Sequence, residues 1–139
     1  ALCLIEYTNK TNFNITFAGA NRPLFYNKKG VKQIETIKGN RKSIGGIMPD
    51  LDAEFVDHKL TLNSGDTIFM NTDGFTDQND LNNSKYTLAR MHQVIIDNID
   101  EKMEVIGERL DLSFDEFRST QNQRDDATVL GIRFKDLIV

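Results

Sequence analysis

The sequence predicts an α+β or layered α/β fold, and three observations carry that expectation. Short apolar stretches with two-residue alternation fill the first half of the chain, two stretches with helical spacing follow, and an apolar, β-branched stretch closes it. Leu2 to Ile5 is short, apolar and partly β-branched, the pattern of a strand buried on both faces. Phe13, Ile15 and Phe17 alternate with Asn14 and Thr16, which predicts a half-buried strand paired antiparallel with the first across the turn-like Thr8 to Asn12. Ala18 to Pro23 interrupts with small residues and a proline. Leu24 to Tyr26 and Val31 to Ile37 then flank Asn27-Lys28-Lys29-Gly30, a second hairpin in which Gly30 is available for a positive φ.

A polar loop from Gly39 to Asp52 follows. Val56, His58, Leu60 and Leu62 alternate with polar residues as a one-sided strand, Asn63 to Asp66 reads as a turn, and Thr67 to Met70 reads as a buried strand running into Asn71-Thr72-Asp73-Gly74. Leu88, Met91, Ile95 and Ile99 are spaced by three, four and four residues. Met103, Ile106, Leu110, Phe114 and Phe117 repeat that spacing, so two amphipathic helices are expected, with Asp100 as the N-cap of the second. Ala127 to Phe134 returns to a strand pattern.

The chain has 139 residues, a size that forms one domain, or a large piece of one, with its own hydrophobic core. Lys and Arg number 17 against 21 Asp and Glu, a net charge of -4, and no basic stripe suited to a nucleic-acid backbone is visible. The single cysteine, Cys3, excludes an internal disulfide and a Cys-rich zinc site. The apolar opening, Ala1 to Ile5, falls far short of the ~18 residues of a membrane span, and no signal peptide pattern is present. An apolar start without a polar leader or cap is instead expected of a chain cut from something longer.

Two places carry candidate chemistry. Asp73 leaves a buried apolar strand beside Gly74, and Asp125-Asp126 precedes another such strand. Carboxylates at the ends of neighbouring strands suit hard divalent cations such as Mg²⁺ and Mn²⁺, which take oxygen ligands and retain water. Each motif alone is ordinary turn chemistry; both at strand ends in a layered fold support a metal site. The other candidates have plainer readings. His58 fits a half-buried strand position, His92 fits the edge of a helix, and Cys3 fits a core strand. No pair of histidines is spaced as in a zincin and no serine triad is recognisable. Gly39 to Gly46 lacks the Gly-Lys-Ser/Thr ending of a phosphate loop, and Lys28-Lys29 is the tip of a hairpin.

Four blocks nevertheless stand in a distinctive order: Phe17-Ala18-Gly19-Ala20-Asn21-Arg22-Pro23-Leu24, Ile44-Gly45-Gly46, Gly65-Asp66-Thr67-Ile68-Phe69-Met70-Asn71-Thr72-Asp73-Gly74-Phe75-Thr76-Asp77, and Asp125-Asp126-Ala127-Thr128-Val129. From about Ala1 to Phe134 the chain resembles the stage II sporulation protein E-like phosphatases, the bacterial branch of the metal-dependent (type 2C) serine/threonine protein phosphatases. The resemblance implies an αββα sandwich whose cleft holds a dinuclear Mn²⁺ or Mg²⁺ centre that activates water against a phosphoserine or phosphothreonine. It implies Asp73 and Asp125 as metal ligands and Asp126 as their neighbour, and it assigns no separate catalytic side chain.

The resemblance also carries a departure. In that family a further Asp-Gly motif, N-terminal to everything in this sequence, supplies the aspartate that bridges the metals, and a regulatory helix lies near it. The chain is therefore expected to be the C-terminal part of a catalytic domain, N-terminally truncated, with little activity alone and with uncovered strand edges that favour self-association. The family further implies a cytoplasmic setting, an upstream sensory or regulatory domain, and a phosphorylated protein substrate such as an anti-sigma-factor antagonist in partner switching. Neither nucleic acid nor membrane is an expected partner of this segment. The competing reading is a non-catalytic phosphatase fold used for protein interaction. A small β-domain binding an apolar ligand is a third, resting on composition alone.

Overall fold

The computed structural model describes residues 2–7, 11–44 and 54–136. In chain order the elements are β1 (Leu2–Tyr7), β2 (Asn12–Ala18), β3 (Leu24–Asn27), β4 (Glu35–Ile37), β5 (His58–Asn63), β6 (Thr67–Asn71), α1 (Asp73–Asp77), α2 (Leu88–Asp97), α3 (Met103–Arg118) and β7 (Val129–Arg133). One sheet has the order β1-β2-β5 and a second has the order β4-β3-β6-β7, so the chain is α+β. Two compact units are distinguished: residues 1–29, 35–68 and 133–139, and residues 30–34 and 69–132.

In the first unit β2 is the central strand of its sheet, and its alternation is the reason. Phe13, Ile15 and Phe17 turn inward and are buried, while Asn14 faces out. β1 pairs antiparallel with β2 (Leu4 opposite Thr16), and β5 pairs antiparallel on the other side (Phe13 opposite Leu62). β3 and β4 form the expected antiparallel hairpin, with Tyr26 opposite Glu35, and Gly30 adopts φ 77° in the connection. Phe13 also packs on Phe134, ring centroids 4.7 Å apart.

The glycine of the Ala18-Gly19-Ala20 block has a structural task. Gly19 lies directly against Gly39: a Cβ on Gly39 would come within 2.6 Å of the Gly19 backbone, and the Asn40 N–H donates to the Gly19 carbonyl at 2.7 Å. Only two residues without side chains allow backbones to approach so closely.

The second unit owes its core to the two helical faces. Met91 and Ile95 of α2 and Ile106, Leu110 and Phe114 of α3 are buried, as the three-four spacing requires. Phe75 stacks on Phe114 at 4.7 Å and meets the fully buried Tyr86 edge-on at 5.3 Å. The Tyr86 hydroxyl donates to Ser113 Oγ (2.8 Å), which satisfies the polar end of a buried ring.

Several expectations need correction. β1 is not buried on both faces: Leu4, Ile5 and Tyr7 are exposed, because β1 lies at the edge of its sheet with β2 as its neighbour. β4 begins at Glu35 and not at Val31, and β5 begins at His58, leaving Val56 exposed. The N-cap of α3 is Lys102 and not Asp100. The Asp73-Gly74 segment, read as a turn, is the start of α1. The turn residues Thr8 to Lys10 and the Gly45-Gly46 part of the second block lie outside the described residues.

Candidate functional site

The site is built where the end of β6 (from Phe69), α1 and the segment that enters β7 meet, within residues 69–132 of the second unit. Buried Phe69 anchors β6, which runs out at Asn71. Thr72 caps α1 with an extended backbone (φ -81°, ψ 163°), and its side chain reaches across the chain instead of back onto the helix. Thr72 Oγ1 donates to the Asp126 carbonyl (2.8 Å) and accepts the Thr128 N–H (2.9 Å), while the Thr72 N–H donates to the Thr128 carbonyl (3.0 Å). Three bonds thus tie the residue before Asp73 to the residues after Asp125.

Gly74 completes this junction. A Cβ at Gly74 would run into the Asp126 carbonyl oxygen and lie 3.0 Å from the Asp125 carbonyl carbon. Asp73 therefore sits between two residues, Thr72 and Gly74, that both lie on the Asp125–Thr128 backbone. The fold brings together the two segments that carry Asp73 and Asp125. Asp73 is half-buried in the first turn of α1, where a carboxylate is favoured by the helix dipole. Asp125 and Asp126 are exposed; the Asp126 N–H donates to Asp125 Oδ1 (2.7 Å), and Gln123 Nε2 donates to the Asp125 carbonyl (2.8 Å).

The donor chemistry is that of a hard-cation site: carboxylate oxygens on closely packed backbone segments, beside a glycine whose missing side chain keeps those segments in contact. Among the described residues no three His, Cys, Asp or Glu side chains converge into a complete metal cage. Asp73 and Asp125 supply hard oxygen donors, the type Mg²⁺ takes when most of its shell is water.

The sequence reading missed the polar cluster behind α1. Gln78, the residue following the helix, is 1% exposed. Its Nε2 donates to the carbonyls of Asn79 (3.0 Å) and Asn122 (3.2 Å), and its Oε1 accepts the Arg124 N–H (3.2 Å). Asn79, with its amide oxygen turned to Arg124 Nη1 (3.0 Å), adds a second link to the same segment. A glutamine after an aspartate in an amide-rich stretch gives no sequence signal of burial. Asp66, part of the Gly65-Asp66 block, is a structural carboxylate: buried, it accepts the backbone N–H groups of Lys29 (2.8 Å) and Asn63 (2.9 Å). His58 and Cys3 fall in the first unit, both half-buried, and burial pushes the Cys3 thiol up. His92, in α2, is also half-buried, and burial lowers its pKa.

Comparison with known proteins defines the class. The fold is that of PP2C-type phosphatase domains. The SiaA PP2C domain of Pseudomonas aeruginosa is similar with a TM-score of 0.76 and 27% identity, over 88% of this chain and 47% of that one. The phosphatase domain of the cell fate determinant SpoIIE from Bacillus subtilis, in a crystal form without domain swapping, matches with a TM-score of 0.58 and 23% identity, over 92% of this chain and 52% of that one. A manganese-presoaked form of the same domain matches over 99% of this chain and 58% of that one, with a TM-score of 0.53 and 20% identity. A search of curated proteins returns no match. The chain matches the family model of stage II sporulation protein E (SpoIIE) over residues 1–135 and belongs to that family. It spans about half the length of the SiaA and SpoIIE domains just described.

Proposed function

We propose that this chain contributes to a divalent-metal-dependent phosphatase acting on phosphoserine or phosphothreonine in a regulatory protein, with Asp73 and Asp125 as ligands to Mn²⁺ or Mg²⁺. The observation that supports this reading is the junction itself: Thr72 and Gly74 hold α1 on the Asp125–Thr128 backbone, so the two backbone segments that carry Asp73 and Asp125 are packed together. Membership of the SpoIIE family and the likeness to PP2C phosphatase domains support the reaction class. The manganese-soaked relative supports the choice of cation.

When bound, the metal supplies charge stabilisation for phosphoryl oxygens and makes water a usable nucleophile near neutral pH. The chain's own residues do the rest. Asp73, fixed on a helix, and Asp125, fixed at a strand entry, offer hard oxygen donors from rigid supports. Thr72 holds their spacing. Phe69, Phe75 and Tyr86, all buried, form an apolar floor that limits relaxation of α1. Two carboxylates are an incomplete dinuclear set, so the 139 residues alone are proposed to release phosphate slowly or not at all. A regulatory domain and a phosphorylated partner protein belong to the whole protein in this reading. No described helix is long and apolar enough to cross a membrane.

Titration of Mn²⁺ by calorimetry tests the site. The wild-type chain is expected to bind, and Asp73→Asn and Asp125→Asn are each expected to bind ~10-fold or more weakly, since each removes an anionic ligand. Equal binding by all three discards the assignment. Phosphate release from a phosphoprotein, compared between this chain and one extended at its N-terminus, tests the activity; equal turnover would refute the dependence on a further segment.

A further inference from the structure

We infer that Gln78 is a positioning residue for the proposed metal site, holding the Asp125 segment at a fixed distance from Asp73; this inference rests on the reading above.

The argument starts from a cost. A buried amide side chain is tolerated only when its donors and acceptor are used, and Gln78 uses them all on backbone. Nε2 donates to Asn79 O and Asn122 O, and Oε1 accepts from Arg124 N–H. The Gln78 carbonyl in turn accepts the Tyr86 N–H at 2.8 Å. One residue therefore joins the end of α1, the 79–86 loop and the 122–124 segment.

Its position relative to Thr72 gives the node its meaning. Thr72 stands at the start of α1 and holds Asp126 and Thr128; Gln78 stands at the other end and holds Asn122 and Arg124. The segment bearing Asp125 is fastened on both sides of that residue, and α1 is the spacer between the fasteners. Asp125 has little packing of its own, being exposed, so its place depends on its neighbours. Without Gln78 the 122–125 backbone on this side keeps only the Asn79–Arg124 side-chain link, and Asp125 would sample positions unsuited to sharing a cation with Asp73. Residues that orient metal ligands through hydrogen bonds typically change metal affinity by ~10–100-fold when lost.

The test uses Gln78→Met, which keeps length and approximate volume but removes every side-chain hydrogen bond, with Mn²⁺ alone as the probe in the full chain. Calorimetric affinity is measured together with thermal midpoints, beside Asp73→Asn and the core variant Met91→Ala, which is fully buried in α2. The expected result is a ~10–100-fold weaker Mn²⁺ affinity in Gln78→Met at temperatures where it is folded, with affinity unchanged in an equally destabilised Met91→Ala. Equal losses in these two variants would make the effect one of general stability and overturn the inference. Wild-type affinity in Gln78→Met, with affinity lost in Asp73→Asn, overturns the role of Gln78 and leaves the site standing. Unchanged affinity in Asp73→Asn overturns the site and the inference together. Amide hydrogen exchange in the wild type decides the matter even if Gln78→Met does not fold. The Arg124 N–H is expected to be protected and to become more so on Mn²⁺ addition; exchange at the rate of a free amide overturns the proposal.

Discussion

Replacing Asp66 by alanine should be among the most damaging single changes in the first unit. The carboxylate accepts the Lys29 N–H at Oδ1 and the Asn63 N–H at Oδ2, and Lys28 Nζ lies 3.4 Å from Oδ2. Alanine leaves both backbone N–H groups without their acceptor at a position 3% exposed. A hydrogen bond to a charged group contributes about 1.5–3 kcal/mol, so the pair accounts for roughly 3–6 kcal/mol. The ion pair is the smaller effect, because the Lys28 side chain is 36% exposed and such pairs contribute ~1 kcal/mol or less. Unfolding entropy near ~2.1 cal/mol/K per residue makes each kcal/mol worth about 3–4 °C in a chain of this length. Asp66→Ala is therefore expected to lower Tm by roughly 10–20 °C, and Lys28→Gln by less than about 4 °C. Urea unfolding with unchanged slope, followed by circular dichroism, measures both. An Asp66→Ala cost under about 1 kcal/mol, or a Lys28→Gln cost equal to it, would refute the assignment of the stability to the two backbone bonds.

Other positions make independent predictions. Gly74→Ala gains about 1 kcal/mol of helix propensity but drives a Cβ into the Asp126 carbonyl, and overpacking against backbone costs ~1–3 kcal/mol; net destabilisation with weaker Mn²⁺ binding is expected, measured by urea unfolding and calorimetry. Thr87 holds φ 72° and ψ 152° at the start of α2, a region populated almost only by glycine at a cost of ~1–3 kcal/mol for other residues, and its side chain is exposed without a capping bond. Thr87→Gly should raise Tm by a few degrees; a fall would show that the strain is not stored there. The Tyr26 phenol donates to Glu35 Oε2 at 2.5 Å, and that bond, then burial, then the Glu35 charge push its pKa up to about 12. Because the folded value is raised, the stability it contributes is complete below about pH 10 and is lost between about pH 10 and 12. Ultraviolet titration should show one phenol moving back toward its ordinary range in Glu35→Gln, and no movement would refute the coupling.

Much of the fold follows from local pattern. The inward side chains of β2, the buried faces of α2 and α3 and the positive φ of Gly30 all follow from spacing or residue type, because which face of an element is apolar is written along the chain itself. Asp73 and Asp125 stood out as candidates for a similar reason: each adjoins an apolar strand. Where local pattern misled, the place of the strand in its sheet decided the outcome. β1 is as apolar as an inner strand, yet lies at the edge of its sheet with Leu4 and Ile5 exposed.

By itself, then, the sequence determined most of the element types and the family, and it singled out two carboxylates as candidates for the site. Only the tertiary structure decided that Asp73 opens a helix. A five-residue helix has no stability of its own, and α1 exists because Thr72 and Gly74 lie on residues about fifty positions away. It also decided that Asp66 serves the backbone and that Gln78, unremarkable in sequence, is buried between α1 and the Asp125 segment. The physical reason is common to all three. A polar side chain's role is fixed by which backbone donors and acceptors surround it after packing, and those partners come from segments that no local periodicity brings together.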